Sequence, residues 1–250
     1  MNIAIVGFGK MGHMIFEKAI ANGENVVAII DPWSPSSEVT AMSVDKKSLN
    51  NADVVIDFSH PACALENIHS YAEFGIPAVV GTTGWYDDIE EVKKDIALLN
   101  PAIIYSGNFS LGVCAYLSIA KAASAIMNNL KDYEVCIKEV HHTQKKDAPS
   151  GTALMLANTV LPKLDSYTGY AIEEKEEGKI TIHSERIGNE PGLHELTFTS
   201  AVDEIKLSHH AFSREGFASG ALVAAKWISD GRRGLFTMDD FSNELLGGLV

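Results

Sequence analysis

The sequence predicts an α/β fold in which a doubly wound parallel sheet is joined to a second α+β domain built on a mixed sheet. Three observations carry this expectation. Short β-branched runs alternate with amphipathic stretches over the first hundred residues. A glycine-rich loop, Gly7-Phe8-Gly9-Lys10-Met11-Gly12, connects the first of those runs to the first helical stretch. Beyond residue 110 the pattern changes to a long alanine-rich helix and then to several strand-like segments.

Ile3–Val6, Val26–Ile30, Val54–Ile56, Ala78–Val80 and Ile103–Tyr105 read as buried parallel strands, with Met11–Ala21 and Asp87–Leu99 among the helices between them. Strand, helix and strand at this spacing form right-handed crossovers in one sheet. Gly112–Leu130 then predicts a helix rich in small residues, Glu134–His142 a strand, and Ser150–Leu161 a helix. Ile180–Arg186, Leu193–Ser200 and Asp203–Phe212 alternate enough to form an antiparallel or mixed sheet. The charged Glu173–Lys179 stretch reads as a solvated turn. Phe217–Ile228 returns to helix, Gly231 ends it, and Met238–Leu246 forms a last short helix. The expected organisation is a nucleotide domain of residues 1–109 and 215–250, interrupted by a β-rich insert of residues 110–214.

Composition narrows the function. The chain has 250 residues, 46% of them hydrophobic and 21% charged, which is ample for a packed core. No apolar run approaches the ~20 residues needed to span a bilayer. Met1–Val6 leads straight into the glycine loop without a basic leader or cleavage site, so a cytoplasmic location is expected. Twenty basic against thirty-three acidic residues give a net charge of −13, which argues against nucleic acid as a partner. An anionic ligand would then need a local cluster of cations, because charges beyond about 8 Å are screened. Cys63, Cys114 and Cys136 lack metal-type spacing and sit among apolar neighbours, so buried free thiols are expected.

The glycine loop fits the G-x-G-x-x-G pattern in its proper setting, after a strand and at the start of a helix. Gly7 permits the tight turn, Gly9 lets backbone approach a pyrophosphate, and Gly12 allows close helix–strand packing. Phe8, Lys10 and Met11 complete the loop, and Lys10 adds a positive charge. The diphosphate would meet the positive end of the helix dipole. Asp31, at the end of the second strand, stands where an acid accepts hydrogen bonds from the adenosine ribose; it also suits a turn before Pro32. No arginine follows Asp31, so NADH is expected ahead of NADPH, which Lys46, Lys47 and the serines at 34, 36 and 37 leave open. Asp57–Pro61, Gly81–Gly84 and Ser106–Phe109 follow strands too. They are expected to line the nicotinamide at the carboxyl edge of the sheet.

The densest chemistry lies in Glu139–Thr152, where His141, His142, Lys145 and Lys146 fall between a strand and a helix start. This is the cation cluster that the net charge demands. Asp147 or Ser150 would cap the helix, leaving Gly151 and Thr152 to present amides to a carboxylate. Alternation would send the two histidines to opposite sides unless the strand ends there. A metal held by His141 and His142 with His209 and His210 is not expected, since adjacent histidines chelate one ion poorly and no cysteine joins them.

Glu139–Ala153 resembles the signature E-x-H-H-x-x-K-x-D-A-P-S-G-T-A of the dihydrodipicolinate reductases, and the likeness extends over Gly7–Gly12, Asp57–Pro61, Gly81–Gly84, Asn108–Val113, Arg186–His194 and Ser213–Trp227. The resemblance implies a Rossmann domain and a mixed-sheet domain that mediates a homotetramer. It implies reduction of a small unsaturated dicarboxylate, 4-hydroxy-tetrahydrodipicolinate, in diaminopimelate and lysine biosynthesis. His141 and Lys145 take the proton-transfer positions, and His142, Gly151 and Thr152 the substrate-binding positions. Gly7–Gly12, Gly81–Thr83 and Ser106–Phe109, the last including Gly107 and Asn108, take the cofactor positions. Some members carry an arginine where Pro32 stands here, which bears on NADPH. The rival readings are another NAD(P)-dependent oxidoreductase, such as an amino-acid dehydrogenase, and a non-enzymatic dinucleotide sensor.

Overall fold

A computed structural model describes residues 1–245. The expected end of the last helix at Leu246 and the domain end at 250 lie outside the described residues. The chain divides into two compact units, one of Met1–Leu111 with the described residues from Glu215 onward, the other of Gly112–Arg214.

In the first unit β1 (Asn2–Val6), β2 (Asn25–Ile30), β3 (Val54–Asp57), β4 (Ala78–Val80), β5 (Ala102–Tyr105) and β11 (Gly234–Thr237) form one sheet in the order β11-β5-β4-β3-β1-β2. Every pairing is parallel. Such strands are buried on both faces and read as unbroken apolar runs. Ala4, Val6, Val55, Ala78, Val80 and Ile103 join one core with Ile68, Tyr71 and Val92 from α2 (Pro61–Phe74) and α3 (Ile89–Leu99). The opposite face meets α1 (Lys10–Ala21) and α6 (Glu215–Ile228).

The second unit carries a five-stranded mixed sheet ordered β10-β9-β6-β8-β7, from β6 (Glu134–His141), β7 (Gly169–Ile172), β8 (Lys179–Arg186), β9 (Leu193–Thr199) and β10 (Glu204–His210). The β6–β8 and β7–β8 pairs are parallel, and β9 runs antiparallel to both β6 and β10. Val135, Ile137, Leu196 and Phe198 pack on α4 (Leu111–Met127) and α5 (Gly151–Val160). Cys136, Lys138, Glu195 and Thr197 alternate onto the other face and are only half-buried.

Helix α2 and strands β7 and β11 add to the expected elements, and the bounds of α3 and α4 differ from expectation. Helix α2 begins with Pro61 at its first position behind the His60 cap and ends on Gly75 at φ +66, the asymmetry such helices favour. Tyr86–Asp88 is a single 3-10 turn before α3. Helix α4 stops at Met127, where Asn128 exchanges two hydrogen bonds with Asp165. The edge strands β7 and β11 are four residues each, too short to show a period. Of the cysteines, Cys114 is buried, whereas Cys63 and Cys136 are half-buried; none forms a disulfide among the described residues.

Helix α6 lies close to the chain at Phe109. A Cβ at Gly220 would stand 1.7 Å from the Phe109 carbonyl oxygen, so backbone would have to move. Alanine favours a helix by about 1 kcal/mol over glycine, yet Gly220→Ala is expected to destabilise by roughly 1–3 kcal/mol or more. Thermal melting checks the sign, and a raised melting temperature would contradict the close approach.

Candidate active site

The glycine loop is held by packing at two of its three glycines. Gly7 has φ +86, and a Cβ there would meet the Phe58 carbonyl oxygen at 2.2 Å. A Cβ at Gly12 would meet the Gly7 carbonyl oxygen at 2.1 Å. Around Gly9 nothing lies within 4 Å. The fold therefore requires Gly7 and Gly12, while Gly9 leaves open space over the loop. Helix α1 starts at Lys10, its N-cap is Gly9, and no side chain caps it. Amides at such a terminus suit an anion.

A cavity of about 530 Å³ opens beside this loop, walled by Gly7, Phe8, Gly9, Asp31, Trp33 and His60 among others. Its uncapped helix end beside Asp31 fits the adenosine and pyrophosphate part of a dinucleotide. His13, which sequence reasoning passed over, also lines it. Its ring stacks on Phe8 at 3.9 Å and its Nδ1 bonds to the Gly9 carbonyl at 2.9 Å. The only sequence signal was its place one turn beyond Gly9. Lys10, Met11, Gly12, Gly81–Thr83 and Ser106–Phe109 do not line the cavity.

Asp31 is buried, and its carboxylate is largely occupied. Oδ1 accepts from the Trp33 and Ser34 amides at 2.7 and 3.0 Å, and Oδ2 accepts from the Phe8 amide at 2.6 Å. A carboxylate has about four acceptor sites, so one remains for a ribose hydroxyl. The turn role and the cofactor role thus fall on one side chain.

The later loops interlock around Phe58. A Cβ at Gly81 would stand 2.1 Å from the Phe58 ring, and Phe109 sets its ring edge-on to Phe58 at 6.2 Å. Thr83 abuts Gly107, where a Cβ would lie 3.2 Å from its methyl. Ser106 Oγ donates to the Asn108 carbonyl and accepts from the Asn108 amide. Thr82 Oγ1 donates to Asp57 Oδ1 at 2.8 Å. Asp57, fully buried, also accepts from the Ser59 amide, Asn67 Nδ2 and the Tyr71 hydroxyl. Burial, with Asp57 beside it, holds the Tyr71 hydroxyl well above its usual range, so it stays a donor.

In the second unit β6 ends at His141, which places Val135, Ile137, Glu139 and His141 on the buried side. The Glu139 side chain is fully buried, and Oε2 accepts from His141 Nδ1. Oε1 accepts from Arg186 Nη2 at 2.9 Å and from the Ser150 amide at 3.2 Å. Burial alone would raise the Glu139 carboxyl, but the bonds from His141 and Arg186 outweigh it and bring it down to about 2. Arg186 Nη2 also reaches the Asp147 carbonyl. His142 falls outside the strand, half-buried, and its carbonyl accepts from the Lys145 amide at 3.1 Å.

Ser150, not Asp147, caps α5, since its Oγ accepts from the Ala153 amide at 3.2 Å. Asp147 instead binds Lys145 Nζ through both oxygens at 2.8 Å, and that bond lowers the Asp147 carboxyl. Gly151 opens α5 with nothing within 4 Å of its missing Cβ, and Thr152 follows it. His194, opposite Glu139 on β9, sets its ring edge-on to His141 at 5.0 Å and bonds to Ser150 Oγ at 3.1 Å. Burial, then the neighbouring His141, lowers His194 to about 3, so it is neutral near pH 7. Glu139 was legible as the strand neighbour two residues before His141; Arg186 and His194 delimited a segment of the family likeness, but nothing in the sequence assigned either to this site.

Among the described residues one trio, Glu139, His141 and His194, brings potential metal-ligand atoms within 4.8 Å of one another. It includes neither His142 nor His209 and His210. Its carboxylate is already bonded to an imidazole, a guanidinium and an amide, and a cation would displace these beside Arg186.

An all-parallel sheet with a glycine loop at its carboxyl edge, joined to a mixed sheet bearing a buried carboxylate–imidazole pair, defines a dinucleotide-dependent oxidoreductase. Family models describe its two parts: "Dihydrodipicolinate reductase, N-terminus" matches residues 1–109 and "Dihydrodipicolinate reductase, C-terminus" matches residues 112–241. The chain belongs to the dihydrodipicolinate reductase family. It is 39% identical over 247 residues to the 4-hydroxy-tetrahydrodipicolinate reductase of Christiangramia forsetii, covering 98% of this chain and 99% of that one. The enzyme of the same name from Clostridium novyi is 38% identical, with 93% and 94% covered. Dipicolinate-bound dihydrodipicolinate reductase from Paenisporosarcina sp. TG-14 superposes with a TM-score of 0.78 at 25% identity, covering 95% of this chain and 97% of that one. No helix among the described residues is long and apolar enough to cross a membrane.

Burial of a neutral His194 ring couples the stability of the fold to pH. The unfolded chain binds a proton there near pH 6.5 and the folded chain does not, so stability is full above pH 6.5 and falls as pH drops towards 3. Each pH unit in that window costs up to about 1.4 kcal/mol. His194→Gln is expected to flatten the loss of melting temperature between pH 6.5 and 5. An unchanged slope in that variant would contradict the burial of a neutral ring.

Proposed function

We propose that the protein reduces 4-hydroxy-tetrahydrodipicolinate to tetrahydrodipicolinate with loss of water, in diaminopimelate and lysine biosynthesis, using NADH ahead of NADPH. The observation that carries the reading is His141, anchored by a buried carboxylate at a strand end and followed by Lys145 and the start of α5. The relatives, 4-hydroxy-tetrahydrodipicolinate reductases, support the substrate class. In this reading residues 1–109 and 215–250 hold the dinucleotide, and residues 110–214 hold the substrate and join four copies of the chain. The enzyme works in the cytoplasm.

A reduced nicotinamide held by the first unit would supply the hydride. His141 exchanges the proton that must accompany it, which an imidazole does well near neutral pH. Lys145 leaves Asp147 for a substrate carboxylate, offering a point charge and three donors. His142, Gly151 and Thr152 hold the other carboxylate at the start of α5, where oriented amides add attraction without net charge. Gly7–Gly12 would hold the pyrophosphate, and the loops at Gly81–Thr83 and Ser106–Phe109 would hold the nicotinamide. The one acceptor site left on Asp31 suits a 2′-hydroxyl, whereas a 2′-phosphate would meet a buried negative charge.

Loss of NADH absorbance on adding the substrate tests the activity, and an inert folded protein would sink it. Gly9→Val is expected to fold with the parent's melting temperature yet lose NADH binding, because it fills only the open space. Tight NADH binding by that variant would move the pyrophosphate elsewhere.

The roles in the second unit separate kinetically. His141→Gln is expected to lower kcat about 10²–10⁴-fold with KM largely kept. His142→Gln should chiefly raise KM, as loss of a contact made equally in ground and transition states does. Lys145→Ala should damage both. NADH affinity should survive all three, and parental kcat in a folded His141→Gln would return His141 to a structural role.

A further inference from the structure

We infer that Glu139 is a positioning residue that fixes the tautomer of His141, holding the proton on Nδ1 so that Nε2 is the nitrogen that exchanges protons with a ligand. This rests on the reading of His141 as the proton-exchanging group and says which of its nitrogens does the work, and what decides it.

An imidazole presents two nitrogens, and the hydrogen bond made by one determines the state of the other. Here Nδ1 is bonded to Glu139 Oε2. The carboxylate is ionised throughout the neutral range, since its bonds outweigh burial and bring it down to about 2. An ionised carboxylate only accepts, so Nδ1 must carry the hydrogen. Nε2 has no hydrogen-bond partner among the described residues. It faces Gly192, where a Cβ would stand 3.1 Å from Nε2 and 3.4 Å from Cδ2. The absent side chain keeps that nitrogen uncrowded.

The carboxylate itself cannot swing away. Its other oxygen is held by Arg186 Nη2 from β8 and by the Ser150 amide at the head of α5. On the far side His194 abuts His141 edge-on and is neutral, lowered by burial and then by His141 itself, so it does not compete as a cation for Glu139. Both oxygens are thus committed, one to structure and one to the imidazole.

A carboxamide at this position would resolve the two demands differently. Glutamine has one acceptor oxygen and one NH2 group. Arg186 and the Ser150 amide are both donors, so they claim the oxygen, and the NH2 turns towards His141. Nδ1 must then accept, and the hydrogen moves to Nε2. An amide in place of an orienting carboxylate, where it enforces the wrong tautomer, costs a histidine base about 10⁴ in kcat in the serine-protease case.

Protein labelled with [15N]histidine and examined by long-range 1H–15N correlation reads the tautomer directly, with His141 assigned by its loss in His141→Gln. The expected wild-type spectrum has neutral His141 protonated at Nδ1. Glu139→Gln is expected to move the hydrogen to Nε2 and to lower kcat about 10²-fold or more, with KM and NADH affinity within roughly threefold of the parent. A wild-type His141 protonated at Nε2 overturns the inference, as does a folded Glu139→Gln with parental kcat. Should that variant fail to fold, the wild-type spectrum decides alone. If His141→Gln keeps parental kcat while the spectrum shows Nδ1–H, the proton role falls and the tautomer assignment stands.

Discussion

A carboxylate removed from water costs several kcal/mol unless it is met by charge and by hydrogen-bond donors. Glu139 has no exposed side-chain surface and meets that demand with three partners from three places in the chain: His141 from its own strand, Arg186 from β8 and the Ser150 amide from the head of α5. The requirement constrains the whole second unit. Parallel pairing sets Glu139 beside Ser184 and His141 beside Arg186. A slip of one residue would send Glu139 and His141 to the open face and leave Arg186 unpaired, so register is enforced by polar groups as well as by the apolar row of Val135 and Ile137.

The first unit uses acids at strand ends in a different way. Asp57 is as buried as Glu139, yet the donors that meet it are neutral: an amide, a carboxamide, a phenol and a hydroxyl. Asp31 binds three backbone amides on both sides of the cavity mouth. Each carboxylate ties the loop after its own strand to another segment. Phe58 completes the arrangement, because the glycine loop and the loops after β4 and β5 all pack against it. The open space over Gly9 is defined by these supports rather than by the residues that border it.

Most of the architecture was legible because burial on both faces leaves a plain mark. The runs at Ile3–Val6 and Val54–Ile56 are apolar without interruption, and helices between them show their own period. The four-residue edge strands β7 and β11 leave no such mark: β11 is half-buried throughout, and only Ala171 is buried in β7. The glycine loop and the His141–Thr152 segment were legible through spacing. Arg186 and His194 were not, since strand pairing alone brings residues 47 and 55 positions away to Glu139. The capping role split between Asp147 and Ser150 was undecidable from sequence, because either side chain suits a helix start and only the distance to Ala153 separates them.

The first unit is discontinuous in the chain, and this bears on how it is made. Helix α6 buries Ala218, Ala221, Leu222, Ala224, Ala225 and Ile228, and it packs on β3, β4 and β5. Strand β11 closes the sheet edge beside β5. Neither exists until the ribosome has passed the entire second unit. The part of that face over β3, β4 and β5 therefore stays bare during synthesis, while the continuous segment Gly112–Arg214 emerges complete and free to fold. Contacts so distant in sequence close slowly, and exposed apolar surface in a waiting intermediate invites aggregation. Vectorial synthesis thus delivers the second unit first and leaves the older half of the chain dependent on its last 31 described residues.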